Sequence, residues 1–340
     1  MKANRFILLV VISLVLGSLL ASACTQSTAA PAGAGTPATQ ATQAPAASSG
    51  DQPTLKIAVL PILDALPMYV AQQEGLFEKN GIKVEFIPAA SAAERDQIFA
   101  SGQVDGMIND SVSTLFYNQE QPQIQIVRMA RTATSDMPQY QVLASPKSGF
   151  SSVQDLKGVE IGISQGTVIE YITDRLLQAE GLKPEEIKTI AVPKIADRMS
   201  LLESGELKAA TLPDPLSSLA SQAGAVLMVD DTSHPEYGYS VYSFRKKLID
   251  ENPDAVRGFL AAIQAATDQI NAEPTKWDNL LTEQKLVPAP LVGKYKLPVY
   301  PGASVPTQAQ WDDVLAWAKA KGLVKNDVSY QESVNPSLLP

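Results

Sequence analysis

Between Thr54 and Ala223, short β-branched runs alternate with segments of helical spacing, and this alternation fades near Gln139 and then starts again. Leu55–Leu60 reads as a strand ended by Pro61, Pro67–Lys79 as a helix stopped by Asn80-Gly81, and Ile82–Ile87 as the next strand. A helix over Ala92–Ser101, a short buried strand over Val104–Ile108 and a helix over Ser111–Glu120, opened by Asp110 or Ser111, complete the first round. The second round gives strands at Tyr140–Ala144, Glu160–Ile163, Ile187–Val192 and Ala209–Leu212. Its helices are a short one at Val153–Leu156, then Val168–Glu180, Ala196–Ser204 and Pro215–Ala223. Strands that alternate with helices specify an α/β fold, and an alternation that restarts specifies two doubly wound lobes.

From Pro253 onward the pattern is helical only: Asp254–Ala272 capped by Asn252, Thr275–Glu283, and Gln308–Lys321 closed by Gly322. Helices without strands cannot found a third α/β domain, so they are expected to return and cover the first lobe. The chain then crosses between lobes twice, near residues 139–144 and 232–244. The expected partition is residues 54–141 with 243–340 as lobe I and 142–242 as lobe II.

Ahead of the body, Lys2 and Arg5 precede an apolar run from Phe6 to Leu16, and small residues lead to Cys24, the chain's single cysteine. That order reads as a signal peptide over residues 1–23 with Cys24 as the lipidated residue. Bacterial lipoboxes usually carry Leu three places before the cysteine; here that place holds Ala21, with Leu20 one earlier. Residues 24–53 are almost wholly Ala, Thr, Gln, Pro, Ser and Gly, too polar and small to fold, and are expected as a disordered linker. The expected location is the extracytoplasmic face of the cell membrane, held by acyl chains.

The formal charge is −9, and loss of Lys2 and Arg5 with the first 23 residues takes it to −11. No Lys/Arg run or basic–aromatic alternation occurs, so nucleic acid is excluded as a partner. With one histidine (His234) and one cysteine, and no nucleophile elbow, phosphate-binding loop or metal-ligand cluster, the sequence carries no motif of a metal site or a catalytic centre. No cofactor, no metal and no catalytic residue are expected.

Tyr69-Val70-Ala71 with Glu74-Gly75-Leu76-Phe77 and Asn80-Gly81-Ile82-Lys83-Val84-Glu85 resembles the opening of solute-binding proteins of ABC importers for sulfonates, nitrate, taurine and thiamine precursors. Ser101–Gly106, the Ser152–Gly158 block followed by Gly162–Thr167, and Leu202–Ala210 followed by Pro213-Asp214-Pro215 resemble later steps of the same family, in order. Lys208 stands where the family more often has Asp. The resemblance implies a periplasmic-binding-protein type II fold, two lobes joined by a two-strand hinge and closing on a small-molecule ligand. A membrane ABC permease is the implied partner, and a monomer is expected.

In open α/β sheets the ligand lies beyond the carboxyl ends of the strands. The turns to inspect are then Pro61–Pro67 with Asp64, Asn109 to Ser111, Gly166-Thr167, and Pro213–Pro215 with Asp214. Asn109, Ser111 and Thr167 could equally be ordinary helix caps. Gly166-Thr167 would also present backbone N–H groups to a sulfonate or phosphate. Several tyrosines fall near the cleft or the crossings, Tyr69, Tyr140 and Tyr239 among them, and flat rings stack on flat rings. With no arginine in the inspected turns, a neutral planar ligand is favoured, and among the family's ligand classes riboflavin leads. The alternatives are a thiamine pyrimidine precursor, an aliphatic sulfonate such as taurine, and, in another class, an extracytoplasmic ligand-sensing domain. Arg128, Arg131 and Arg198 are the residues able to overturn the neutral reading.

Overall fold

The computed structural model describes residues 52 to 340. The expected signal peptide, Cys24 and nearly all of the linker lie outside the described residues. The linker's last two residues are not loose: Gln52 Nε2 donates to the Glu78 carbonyl at 3.1 Å, and the Pro53 carbonyl accepts from Lys83 N at 2.9 Å.

Two five-stranded mixed sheets repeat one plan. In the first, β1 (Thr54–Val59) pairs in parallel with β2 (Lys83–Pro88) and β3 (Gly106–Asn109). Then β10 (Tyr239–Arg245) runs antiparallel between β3 and β4 (Ile124–Thr132). In the second, β6 (Glu160–Ile163) pairs in parallel with β7 (Lys188–Ala191) and β8 (Ala209–Pro213). Here β5 (Tyr140–Ala144) runs antiparallel between β8 and β9 (Val226–Asp230). Each crossing therefore delivers a strand into the interior of the other sheet, and neither sheet is complete without its donated strand. This is the two-lobed α/β architecture expected, with one antiparallel strand set into each otherwise parallel array.

Three of these strands, β4, β9 and β10, escaped the reading of the sequence. β4 carries Arg128 and Arg131 yet is buried from Ile124 to Arg131, because the C-terminal tail covers its outer edge: Met129 N donates to the Ser304 carbonyl and Asn335 N to the Ile126 carbonyl. The lobes are joined where β4 passes into β5 and β9 into β10, each pair of strands linked by a turn. These turns span residues 133–139 and 231–238, and the expected boundaries at 141/142 and 242/243 fall inside β5 and β10. Ala133 N donates to the Gly238 carbonyl at 2.8 Å, and the Asp231 carboxylate accepts from Gln139 N at 2.9 Å and Tyr140 N at 3.1 Å. A Cβ at Gly238 would sit 1.8 Å from Asp231 Oδ2, so the close approach of the two crossings requires glycine there.

The expected single helix from Pro67 is two, α1 (Leu66–Gln73) and α2 (Leu76–Lys79), divided at Gly75, whose φ of +63° no helix accommodates. In the first lobe α3 (Ala92–Ala100) follows β2 and α4 (Ser111–Asn118) follows β3. In the second, α5 (Val168–Ala179), α6 (Ile195–Ser204) and α7 (Leu216–Gln222) follow β6, β7 and β8. The tail adds α8 (Lys246–Glu251), α9 (Pro253–Ala272), α10 (Asp278–Glu283), α11 (Gln308–Ala320) and α12 (Tyr330–Ser333).

As expected, α9 returns to the first lobe, where Phe259 stacks on Phe77 with centroids 5.5 Å apart. Burial of one such ring contributes roughly 2–3 kcal/mol. By contrast, α11 packs on α4 and also bonds to α5 of the second lobe. Asp313 there takes both the Nε and Nη2 of Arg175 at 2.8 Å, and Trp317 Nε1 donates to Asp174 at 2.8 Å. Trp317 meets Tyr171 of the second lobe edge to face, centroids 5.4 Å apart, and with Trp311 is buried in a core that also contains Leu176.

Candidate ligand cleft

The two sheets face each other across a cavity of about 40 Å³, room for roughly three water molecules. Its first-lobe wall is built from Leu60, Ile62, Asp64, Ala92, Arg95, Ile108, Asn109, Asp110 and Ser240, and its second-lobe wall from Tyr140, Ser164, Val168, Ile169, Pro193, Ile195, Arg198 and Pro213. Leu60, Asn109, Ser164, Pro193 and Pro213 stand at or just past the carboxyl ends of the parallel strands β1, β3, β6, β7 and β8, where strand-to-helix turns present a ligand surface. The first turns of α3, α5 and α6 and the cap of α4 all reach this space, so four helix N-termini bring their partial positive charge to one place.

On the first-lobe wall the charges are matched. Arg95 Nη2 lies 2.9 Å from Asp96 and 3.3 Å from Asp110, whose other oxygen accepts from Ser113 N at 2.8 Å and so caps α4. Burial pulls the Arg95 guanidinium down, and the two carboxylates outweigh it, holding it above its ordinary value. Asp64 accepts from Gln139 Nε2 at 2.9 Å and pairs with Arg131 at 3.5 Å. Arg131 also reaches Asp214 of the second lobe at 3.6 Å, and the Tyr295 hydroxyl donates to the same carboxylate. These contacts tie the lobes together beside the crossings.

On the second-lobe wall Arg198 is fully buried with no carboxylate partner among the described residues. Its Nε donates to the Thr211 carbonyl at 2.9 Å and its Nη1 to the Val192 carbonyl at 2.8 Å. Burial alone draws its pKa down to about 10, which leaves it charged at neutral pH. The stem of Arg198 runs beneath β6 where Gly162 makes room: a Cβ there would meet Arg198 Cγ at 3.3 Å and Leu207 Cδ1 at 2.5 Å.

Asp64, Asn109 and Tyr140 of the residues singled out from sequence line the cavity. Asp214 lines an adjoining hollow of about 260 Å³, and Tyr69 another of about 400 Å³; both hollows share Pro61 with each other and abut the Leu60–Ile62 turn. Ser111, Gly166, Thr167 and Tyr239 are not on the cavity wall. Ser111 and Tyr239 share a hydrogen bond of 3.0 Å, and Thr167 accepts from Ile169 N at 3.2 Å, capping α5. The Gly166 N–H is already taken by the Glu170 carboxylate at 2.8 Å, so this turn supplies its own anion. His234 sits in the second crossing with its ring stacked on Tyr237.

The absence of arginine from the inspected turns did not keep arginine out of the cleft. Arg95 and Arg198 enter from the fourth residues of α3 and α6, because helical side chains lean back toward the N-terminus. The β7–α6 turn, Val192-Pro193-Lys194, follows a strand as the inspected turns do and by that signal belonged with them.

Two facing α/β sheets joined by two crossings, with a largely apolar cavity at the strand ends between them, define the class of two-lobed binding-protein folds. Over residues 63–277 the chain matches the family model described as NMT1/THI5 like, and it belongs to that family. It is 28% identical over 218 residues to a putative thiamine biosynthesis protein of Haemophilus influenzae, covering 63% of this chain and 67% of that one. It is also 24% identical over 246 residues to a putative ABC transporter periplasmic binding protein of Brachyspira hyodysenteriae, covering 67% of this chain and 68% of that one. A match of 25% identity over 224 residues joins it to a 4-amino-5-hydroxymethyl-2-methylpyrimidine phosphate synthase of Saccharomyces cerevisiae (62% and 64% covered). The aligned stretches thus span about two thirds of these curated relatives. Among solved structures, the alkanesulfonate-binding protein SsuA from Xanthomonas axonopodis pv. citri, bound to MOPS, superposes with a TM-score of 0.71 at 18% identity, covering 84% of this chain and 99% of that one. That likeness establishes the fold.

Proposed function

We propose that this protein is the solute-binding component of an ABC importer, anchored through Cys24 on the extracytoplasmic face, which captures a flat heteroaromatic vitamin precursor between its lobes and passes it to a permease. The observation that carries this reading is the cavity itself, walled by the strand ends of both sheets, between lobes that two turn-like crossings join. Cavities that hold vitamin-sized ligands occupy roughly 300–1,000 Å³, so capture of one requires the lobes to open from the 40 Å³ arrangement and re-close around it.

Riboflavin was the ligand favoured by the sequence, on the strength of its tyrosines. The cavity wall, however, carries one aromatic ring, Tyr140, together with the polar residues Asn109, Asp64, Asp110 and Ser164 among apolar side chains. That set suits a single aminopyrimidine ring better than a three-ring flavin, and relatives named as a putative thiamine biosynthesis protein and as an aminopyrimidine phosphate synthase point the same way. A binding role with no catalysis of its own fits the many relatives named as binding proteins.

Native mass spectrometry and absorbance of the purified chain, followed by calorimetric titration with 4-amino-5-hydroxymethyl-2-methylpyrimidine, riboflavin and taurine, test the reading. Micromolar or tighter binding of the pyrimidine is expected, weakened at least tenfold by Tyr140→Ala. A co-purified yellow chromophore of flavin mass would restore riboflavin.

A further inference from the structure

Helix α11 is held by the two lobes in different ways. Its arm of chain leaves the outer edge of β4 at Ser304, whose carbonyl accepts from Met129 N at 2.7 Å. It returns to the same edge at Asn335, whose N–H donates to the Ile126 carbonyl at 2.8 Å. Both ends of the arm are therefore fixed to the first sheet. Between them Trp311 and Val314 share an apolar core with Val112 and Leu115 of α4, in the same lobe.

Against α5 of the second lobe α11 presents chiefly polar groups. Glu170, Tyr171, Asp174 and Arg175, spaced i, i+1, i+4 and i+5, form one face of α5. The Arg175 guanidinium grips Asp313 through Nε and Nη2, each at 2.8 Å, and the Tyr171 hydroxyl donates to the same carboxylate at 2.7 Å. Lys321, just past the last turn of α11, lies 2.8 Å from Glu170 and 3.0 Å from Asp174, which also accepts from Trp317 Nε1. Near the start of α11, Gln310 Nε2 donates to the Glu236 carbonyl in the second crossing at 3.1 Å. Glu170 and Asp174 are buried, while Arg175, Asp313 and Lys321 keep water within reach.

Helices α4 and α5 meet across the lobe boundary, so a chain that opens there must free one face of α11. Parting from α4 would expose rings and aliphatic groups, whereas the ions facing α5 exchange partners for water at little net cost. The α5 seam is thus the one that yields. The same helix begins at the cleft, where Val168 and Ile169 line the cavity, and Glu170 takes Gly166 N with one oxygen and Lys321 with the other.

We infer that α11 is a charged clasp, carried by the first lobe, whose ion pairs to α5 favour closed over open chains. The inference rests on the reading of the protein as a two-lobed solute binder and needs no particular solute.

The test is electron–electron double resonance on the full chain without ligand. Spin labels go on Gln72→Cys in α1 and Lys208→Cys in the second lobe, both exposed, with Cys24→Ser so that only these two react. Arg175→Glu and Asp313→Lys are each expected to raise the longer-distance population about two- to fivefold, the worth of one half-exposed ion pair. Combining them reverses the pair and is expected to return the population toward that of the unaltered chain, which a merely structural role for either residue would not do. Should the reversed variants fail to fold, raising salt from about 0.1 to 1 M, which cuts the screening length from about 10 to 3 Å, is expected to lift the same population in the unaltered chain. A double variant as open as the single ones overturns the clasp. So does a distance that shifts in Gly238→Ala yet ignores charge reversal and salt, and that outcome leaves the two-lobed binder standing. One fixed distance under every condition, Gly238→Ala included, overturns the opening on which both readings rest.

Discussion

On the first-lobe side of the cleft each arginine meets two carboxylates, Arg95 with Asp96 and Asp110 and Arg131 with Asp64 and, across the gap, Asp214, whereas on the second-lobe side Arg198 meets only backbone carbonyls. The sheets behind the two walls share one strand plan. What differs is where the negative charge comes from: the protein supplies it for one wall and leaves the other unmatched. The protein closes its own ion pairs beside the crossings and leaves the one buried charge of the other wall to backbone carbonyls.

The comparison breaks most visibly by removing a carboxylate from the matched wall. Asp110→Ala deprives Arg95 of one of its two partners and α4 of its cap, and a loss of about 3–5 kcal/mol is expected in urea unfolding. Arg198→Gln, which removes a charge that has no ion-pair partner, is expected to cost clearly less. Equal losses from the two would mean that the walls do not differ in the way described.

The crossings between the walls come next. Gly238→Ala forces a methyl group into the Asp231 carboxylate, and about 1–3 kcal/mol of destabilisation is expected, with open and closed populations shifted in small-angle scattering. Asp231 itself adds a pH dependence, since burial pushes its pKa from the usual carboxylate range up to about 7. The folded form then binds a proton that the unfolded chain has already released. Stability from this group is full below about pH 4 and falls as pH rises toward 7, by at most roughly 1.4 kcal/mol per pH unit. Thermal melts of the unaltered chain and of Asp231→Asn between pH 4 and 8 check this, the variant losing that slope. The smallest effect belongs to Ser164→Ala, within about 0.5 kcal/mol on stability, because its hydroxyl holds nothing in the fold.

Much of the fold was legible along the chain because the strand-to-helix turns carry local signals. Asn80-Gly81 after α2, Asp110 and Thr167 as caps and Asn252 before α9 act within a few residues of themselves. Where the covering is distant, the signals fail. β4 looks too charged for a buried strand until the tail covers it, and α11 shows its two faces only when α4 and α5 stand beside each other. The cleft divides the same way. Asp64 and Asn109 were found by the rule of strand ends and Tyr140 as a tyrosine near a crossing, while Arg95, Arg198 and Ser240 come from a helix turn or a donated strand.

The sequence by itself determined the α/β class, the doubled alternation, the two crossings and the family, since each is written in short-range periodicity and in motifs kept in order. Only the tertiary structure decided which charges meet. Arg131 and Arg198 carry the same side chain and differ because folding brings Asp64 and Asp214 to one and only carbonyl oxygens to the other. Such pairing is a matter of distances across more than 60 residues of chain, and the Coulomb and desolvation energies that set its consequence depend on those distances and on burial, neither of which a linear pattern contains.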